Sequence, residues 1–121
     1  GSEEAKTSAI IKTLTYIKNE WELSYEKIGE LAHIPKSTIE RWLKEKKIPT
    51  TAKTEIDLII HFISIFKSLS QMFESKRNLN SWLNSPHPRL SDKKPIDLMK
   101  ADVEGLIFVR RYLDYSRGRG A

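Results

Sequence analysis

The fold of the N-terminal half is decided by residues 23–43, which read LSYEKIGELAHIPKSTIERWL. Ser24 can cap a helix, because its hydroxyl accepts a hydrogen bond from an amide of the first turn. Pro35 opens the next helix, where its missing amide costs nothing. Between these two helices only a short break remains, centred on His33. The stretch therefore predicts two helices joined by a tight turn.

Four residues of this stretch have the spacing of a helix-turn-helix. Gly29 is the small residue required where the two helices approach each other, and His33 is a turn residue that tolerates a positive φ. Ile34 and Ile39 are the bulky aliphatic residues that lock the turn and the buried face of the second helix. Since the second helix of such a unit enters the major groove, this spacing predicts DNA binding.

Basic residues are concentrated on and after the second helix. Residues 33–54 hold six Lys or Arg against two Glu. We expect four residues to face base edges, with Arg41 the best partner for a guanine: Lys36, Ser37, Glu40 and Arg41. We expect six more to meet phosphates: Ser24, Tyr25, Thr38, Lys44, Lys46 and Lys47. Two alternatives stay open: an ordinary solvated polar face, and a helix-turn-helix that has lost its DNA contacts.

Helical periodicity extends on both sides, so the chain is predicted to be all-α. Residues 1–6 are expected to be a tag remnant with a disordered N-terminus, residues 7–53 a helix-turn-helix domain, and residues 54–121 a second small helical domain. Thr54 is expected to cap a long helix to about residue 74. Asp102 is expected to cap the last helix, over about residues 103–116, before a loose tail that contains Gly118 and Gly120.

The long helix after Thr54 is apolar on nearly all sides, so other helices or another chain must cover it. The candidates for a homodimer contact are Ile56, Ile59, Ile60, Ile63 and Phe66. A helix buried in the core of its own chain is the alternative.

The C-terminal third, residues 82–118, has a sparse pattern of aromatic, apolar, proline and glycine residues. Its members are Trp82-Leu83, Pro86, Leu90, Pro95, Leu98, Gly105, Val109, Leu113 and Gly118. This pattern resembles the C-terminal toxin-binding domain of the Xre/MbcA/ParS antitoxins, and residues 23–43 resemble the Xre-like helix-turn-helix of phage repressors. His33 stands where that turn usually has glycine, and Gly29 where it usually has alanine. Ser91-Asp92 also departs from the C-terminal pattern, which often has glycine there.

The resemblance implies a type II antitoxin with a C-terminal toxin-binding and dimerisation domain. Such a domain grips a RES-type, NAD-consuming toxin across the mouth of its active site. The resemblance also implies a homodimer within a hetero-oligomer that binds the double-stranded operator DNA of its own operon. The alternative is a stand-alone helix-turn-helix transcription regulator whose C-terminal domain only dimerises.

Arginine and tyrosine are enriched at binding hot spots, and both are frequent near the C-terminus. The residues expected to contact a toxin are Arg110, Arg111, Tyr112, Asp114, Tyr115, Arg117 and Arg119. A basic, solvated face is the alternative.

The composition excludes several classes of protein. The 121 residues include no cysteine, so disulfides and thiolate metal sites are excluded and a reducing cytoplasm is expected. No apolar run is long enough to span a bilayer, so no membrane partner is expected. His33, His61 and His87 lack the spacing of zinc ligands, and no arrangement of nucleophile and base is visible. We therefore expect no metal, no cofactor, no catalytic residue and no enzymatic activity.

Overall fold

The computed structural model describes the backbone of residues 1–120 and the side chains of residues 1–118. Over this range the chain forms seven α-helices and no β-strand, so the all-α prediction is confirmed. The helices are α1 (Ser2–Glu20), α2 (Tyr25–Ala32), α3 (Lys36–Glu45), α4 (Lys53–Met72), α5 (Lys76–Leu83), α6 (Pro95–Ala101) and α7 (Val103–Gly120), with a 3-10 turn at Pro88–Leu90. The side chain of Arg119, expected to contact a toxin, and Ala121, the predicted end of the second domain, lie outside the described residues.

Helices α2 and α3 form where the sequence predicted two helices and a tight turn. The Ser24 hydroxyl accepts a hydrogen bond from the Lys27 amide at 3.0 Å, which satisfies one of the unpaired donors of the first turn. His33 ends α2 in the left-handed region, with φ 61° and ψ 40°. A Cβ on Gly29 would lie 2.5 Å from the carbonyl oxygen of Ile34, so the return of the chain after the turn depends on glycine.

Three helix ends differ from the prediction. The segment expected to be disordered, residues 1–6, is helical from Ser2 onward, with Glu3 and Glu4 in the first turn where the helix dipole favours negative charge. Helix α4 begins at Lys53 without a side-chain cap, so the predicted cap at Thr54 is wrong. Helix α7 continues to Gly120 through the tail that was expected to be loose.

Helix α4 is the centre of the core and packs against α1, α2 and α7. Four of the five residues predicted to form a homodimer contact are buried inside this one chain, and Ile60 is half-buried. Ile59 is fully covered, and Phe66 packs against Phe62 with ring centroids 4.8 Å apart. The apolar excess of α4 is therefore covered by helices of the same chain, which was the alternative interpretation.

One hydrophobic cluster extends across the predicted domain boundary between residues 53 and 54. It includes Ile10 on α1, Ile39 on α3 and Leu113 on α7, each of them buried. The boundary coincides with the start of α4, but the packing continues through it.

Helices α6 and α7 meet at a sharp corner. The predicted cap at Asp102 is present, because its Oδ1 accepts a hydrogen bond from the Gly105 amide at 2.7 Å. A Cβ on Gly105 would overlap the carbonyl oxygen of Leu98 in α6. The two helices can approach this closely only because residue 105 has no side chain.

We predict that Gly105→Ala lowers the free energy of unfolding by about 1–3 kcal/mol, because the added methyl group must push α6 and α7 apart. Chemical denaturation followed by circular dichroism measures this change. Gly118→Ala is the matched control, since a Cβ there meets no atom within 4 Å. That substitution should be neutral or stabilise the helix by up to about 1 kcal/mol. Equal stability of the Gly105 variant and the wild type would contradict the prediction.

Candidate functional site

The outward face of α3 carries most of the residues expected to meet base edges. Lys36, Ser37 and Arg41 are exposed, while Glu40 is half-buried. The opposite face holds Ile39 and Trp42 in the core, with exposed fractions of 0% and 1%. The polar face of α3 is therefore presented to solvent by a well-anchored helix.

Glu40 modifies the charge of this face. Its carboxylate lies 2.7 Å from the Lys44 ammonium, one turn further along α3. The hydrogen bond from Lys44 lowers the pKa of Glu40, and the same contact raises the pKa of Lys44. Arg41 has no ion pair within the described residues and is the more available cation.

The residues expected to meet phosphates are distributed around α3. Ser24 uses its hydroxyl oxygen as the α2 cap but keeps its hydrogen for an acceptor such as a phosphate. Tyr25 is half-buried with the Lys18 ammonium 4.5 Å from its ring centroid. Thr38 is half-buried at the start of α3.

Lys46 and Lys47 follow α3 and are both exposed. They line an open cavity of about 520 Å³ between the start of α1 and the segment before α4. Thr7 and Thr50 lie on its other walls. The α3 edge of the cavity is basic, whereas Glu4 lines the edge that α1 forms. The two lysines therefore suit a phosphate backbone that passes beside α3.

The residues expected to contact a toxin fall on two different sides of α7. Arg110 faces α4, where its guanidinium donates to His61 Nδ1 at 3.1 Å and lies 3.4 Å from Asp114. Arg117 also faces α4 and donates to Gln71 at 2.8 Å, with Asp114 3.6 Å away. These two arginines connect α7 to α4 within the chain.

Tyr112 is also engaged inside the protein. It is half-buried and stacks on Trp82, with ring centroids 6.5 Å apart and an interplanar angle of 16°. The ring of His87 also stacks on Trp82, with ring centroids 5.0 Å apart. Tyr112 therefore contributes to the packing of α5 against α7.

Helix α7 carries a row of exposed side chains that we call the outer ridge: Glu104, Phe108, Arg111 and Tyr115. The spacing of four, three and four residues places them on one face of the helix. Phe108 is 48% exposed and Tyr115 is 55% exposed, although both are large aromatic residues. The ridge borders an open groove of about 570 Å³ between α6 and α7.

The sequence predicted Arg111 and Tyr115 but missed Phe108. The apolar positions of α7 that reach the core are Leu106, Val109 and Leu113. Phe108 lies on the opposite face from these residues, and that displacement from the buried stripe is the signal that identifies it.

His61 is the titratable group with the most distinctive environment. Partial burial disfavours its charged form and is the main reason that its pKa lies below the ordinary 6.5; repulsion from Arg110 adds to the effect. The carboxylates of Asp57 and Asp114 act in the opposite direction. Since Arg110 is itself a donor, the contact at 3.1 Å requires His61 Nδ1 to be unprotonated.

Two further classes of site find no support within residues 1–118. No group of three or more His, Cys, Asp or Glu side chains is arranged to hold a metal ion there. Among the described helices none has the length and apolar character that crossing a membrane requires.

Comparison with known proteins finds a family match in the C-terminal half. Residues 68–119 match the family described as the antitoxin Xre/MbcA/ParS C-terminal toxin-binding domain. An uncharacterized protein, y4oB of Sinorhizobium fredii (strain NBRC 101917 / NGR234), is 27% identical over 119 residues, which span 97% of this chain and 91% of that protein. A chain in the crystal structure of the M. tuberculosis MbcT-MbcA toxin-antitoxin complex has the same fold, with a TM-score of 0.56 and 17% identity. That match covers 88% of this chain and 94% of the other.

We predict that His61 makes stability depend on pH. The unfolded chain protonates His61 near the ordinary pKa, whereas the folded chain resists protonation until the pH is lower. The stabilisation is therefore present above about pH 6.5 and is lost as the pH falls through the lowered pKa. His61→Gln keeps an acceptor for Arg110 but does not titrate, so urea denaturation from about pH 8 to about pH 5 should show a smaller loss of stability in the variant. Parallel pH profiles of the two proteins would contradict the assignment.

Proposed function

We propose that this chain is an antitoxin of the Xre/MbcA/ParS family, whose toxin-binding domain residues 68–119 match, and that it neutralises a RES-type, NAD-consuming toxin through the outer ridge of α7. The observation that carries the proposal is the exposure of Phe108 and Tyr115 on one face of a helix inside the matched domain. Aromatic residues and arginine dominate the energy of binding interfaces, and Arg111 lies between these two aromatic side chains.

The structure favours the ridge over the rest of the predicted toxin contacts for an energetic reason. Arg110 and Arg117 already hold hydrogen bonds with α4, so a partner that recruits them must first break contacts inside the antitoxin. Arg111 and Phe108 require no such exchange. We therefore assign the main contact to the ridge and a secondary contact to Arg110, Asp114 and Arg117, which lie on another side of α7.

Inhibition by this surface follows from simple geometry if the ridge lies across the mouth of the toxin's active site. A rigid helix in that position excludes NAD without any chemistry of its own. The test is NAD consumption by a purified RES-type toxin with increasing amounts of this chain. Complete inhibition at equal molar amounts supports the proposal, and full activity of the toxin in a stable complex would refute occlusion.

We also propose that the chain binds the operator of its own operon, with α3 as the reading helix in a helix-turn-helix formed with α2. The exposed polar face of α3 and the basic cavity beside Lys46 and Lys47 support this part of the proposal. Operators read by such proteins are bound by two copies on half-sites about one helical turn apart. Because the predicted dimer residues of α4 are packed inside the chain, a homodimer must use another surface.

We predict that Phe108→Ala weakens toxin binding about tenfold or more, since truncation of a central aromatic residue costs more than about 1.4 kcal/mol. Isothermal titration calorimetry with a catalytically inactive toxin measures the affinity. Tyr16→Ala is the control, because Tyr16 is 61% exposed but lies on α1, outside residues 68–119. A Phe108 variant with unchanged toxin affinity and an altered sedimentation coefficient would instead make the ridge a contact between copies of this chain.

We predict that Arg41→Ala weakens operator binding about fivefold or more and leaves toxin affinity unchanged, because a bidentate contact with guanine contributes about 1–3 kcal/mol. Fluorescence anisotropy with a duplex from upstream of the gene, repeated at several salt concentrations, measures the effect. Arg77→Ala is the control, since Arg77 is also exposed but lies on α5. Equal operator affinity of the Arg41 variant and the wild type would remove α3 as the reading helix. Failure of the wild type to bind the duplex would favour an antitoxin that does not regulate its own operon.

A further inference from the structure

Lys67 on α4 lines two cavities, one towards α7 and one towards α1. The first has a volume of about 210 Å³, and we call it the cationic cavity. Its lining residues are Ser64, Lys67, Arg110, Asp114 and Arg117. The second has a volume of about 420 Å³ and a mainly apolar lining, and we call it the apolar groove. Its lining includes Tyr16 and Ile17 of α1 and Ser70 and Gln71 of α4.

The cationic cavity has a surplus of positive charge. Its lining has three cations and one carboxylate, which leaves a net charge of +2. The two arginines share that carboxylate, since Asp114 lies 3.4 Å from the Arg110 guanidinium and 3.6 Å from that of Arg117. The ammonium group of Lys67 is exposed and makes no ion pair or hydrogen bond within residues 1–118. A cleft with charges of one sign concentrates its field on an incoming ion, so this cavity attracts an anion.

A phosphate group matches the donors and the charge of this cavity. A guanidinium has five N–H groups, and Arg110 and Arg117 each give one to α4, to His61 Nδ1 and to Gln71. Arginine binds a phosphate through two parallel hydrogen bonds, and a phosphate ester carries about two negative charges at pH 7. A protein surface that recruits these arginines must pull them away from α4. An anion small enough to enter the cavity binds them where they lie.

The apolar groove offers an aromatic ring beside the cationic cavity. Tyr16 is 61% exposed, more than Phe108 or Tyr115. Among the described side chains it has neither a ring contact nor a hydrogen-bond partner. Gln71 connects the two cavities, because it lines the groove and accepts a hydrogen bond from Arg117 at 2.8 Å. An exposed aromatic face next to a basic cavity is the combination that binds a nucleobase by stacking and its phosphate by charge.

We propose that α1, α4 and α7 together form a nucleotide-binding site, in which the cationic cavity holds a phosphate group and Tyr16 stacks on the base. The site goes beyond the proposed function, because it includes no residue of the outer ridge and none of α3. The volume of the groove lies within the range of about 300–1,000 Å³ that is usual for small-molecule sites. The cationic cavity is smaller than that range and suits a single polar group.

The backbone of duplex DNA is another source of phosphate, but it fits these observations less well. The bases of a duplex are stacked on one another and cannot reach an aromatic side chain unless they are extruded. Duplex DNA would therefore fill the cationic cavity and leave Tyr16 without a partner. A free nucleotide uses both cavities.

The test uses the full chain with AMP as the probe, and inorganic phosphate and adenosine as the two halves of that probe. Isothermal titration calorimetry measures each affinity at one ionic strength, because salt screens exposed charges. AMP should bind about fivefold or more tightly than either half, since only AMP occupies both cavities at once. AMP that binds no more tightly than inorganic phosphate, or not at all, overturns the proposal.

Two substitutions of exposed residues separate the two parts of the site. Tyr16→Leu keeps an apolar side chain but removes the ring, so it should weaken AMP binding about fivefold and leave the affinity for inorganic phosphate unchanged. Lys67→Gln removes one charge from the cavity and should weaken the binding of both ligands about threefold or more. Lys93→Gln is the matched control, because Lys93 is also exposed but lies in the loop before α6. Equal losses in the two lysine variants would show that AMP responds only to the net charge of the protein, and would overturn the site.

NMR chemical-shift mapping with AMP locates the ligand independently of affinity. The largest amide shifts should fall near Tyr16, Lys67, Gln71 and Arg117, and shifts concentrated on α3 or on the outer ridge would overturn the assignment. The Lys67 variant is also titrated with the duplex from upstream of the gene. A loss of DNA affinity in this variant, together with a wild-type chain that does not bind AMP, would assign the cavity to the DNA backbone and overturn the nucleotide site.

Discussion

The burial of α4 is the constraint on which the rest of the structure depends. This helix of 20 residues has eight buried positions, and Ile59, Phe62 and Ile65 among them are fully covered. A helix that is apolar on so many sides is stable in water only when several neighbours cover it at once. Here α1 and α2 cover it from the N-terminal half, and α7 covers it from the C-terminal half. The two halves thus share a core, and a chain without cysteine acquires a larger core than either half would bury alone.

The shared core changes the meaning of the basic residues on α7. In the sequence the arginines form one group, but packing against α4 divides them. Arg110 and Arg117 are directed towards α4, where they contact His61 and Gln71, although Arg117 itself is exposed. Arg111 faces outward on the ridge. Because surface ion pairs of this kind contribute little to stability, the orientation of α7 depends mainly on its buried residues Leu106, Val109 and Leu113.

The sequence predicted the elements whose signals are local. The Ser24 cap, the turn at His33 and the Asp102 cap are each specified by side chains within a few residues of the backbone groups that they satisfy. The contacts that sequence reasoning missed depend on distant neighbours. The prediction that Ile59 forms a homodimer contact was wrong, because α1, α2 and α7 cover α4 within the chain. Helical periodicity shows which faces of a helix are apolar, but it does not show which element covers them. The bond from His33 to Met99 spans 66 residues and has no local signature at all.

The outer ridge carries aromatic residues that the shared core does not bury. Leu106, Val109 and Leu113 complete the contact of α7 with the interior, whereas Phe108 lies on another face of the helix and is 48% exposed. Burial of apolar surface, such as that of Phe108, lowers the free energy by about 25 cal/mol for each Å² removed from water. The free chain thus exposes apolar surface on one face of α7, and a partner that buries this surface gains binding free energy. Because α7 is held by its buried residues and by the corner at Gly105, a partner that binds it loses little free energy in ordering the helix. A rigid helix with an exposed aromatic face is therefore suited to tight binding by pre-organisation.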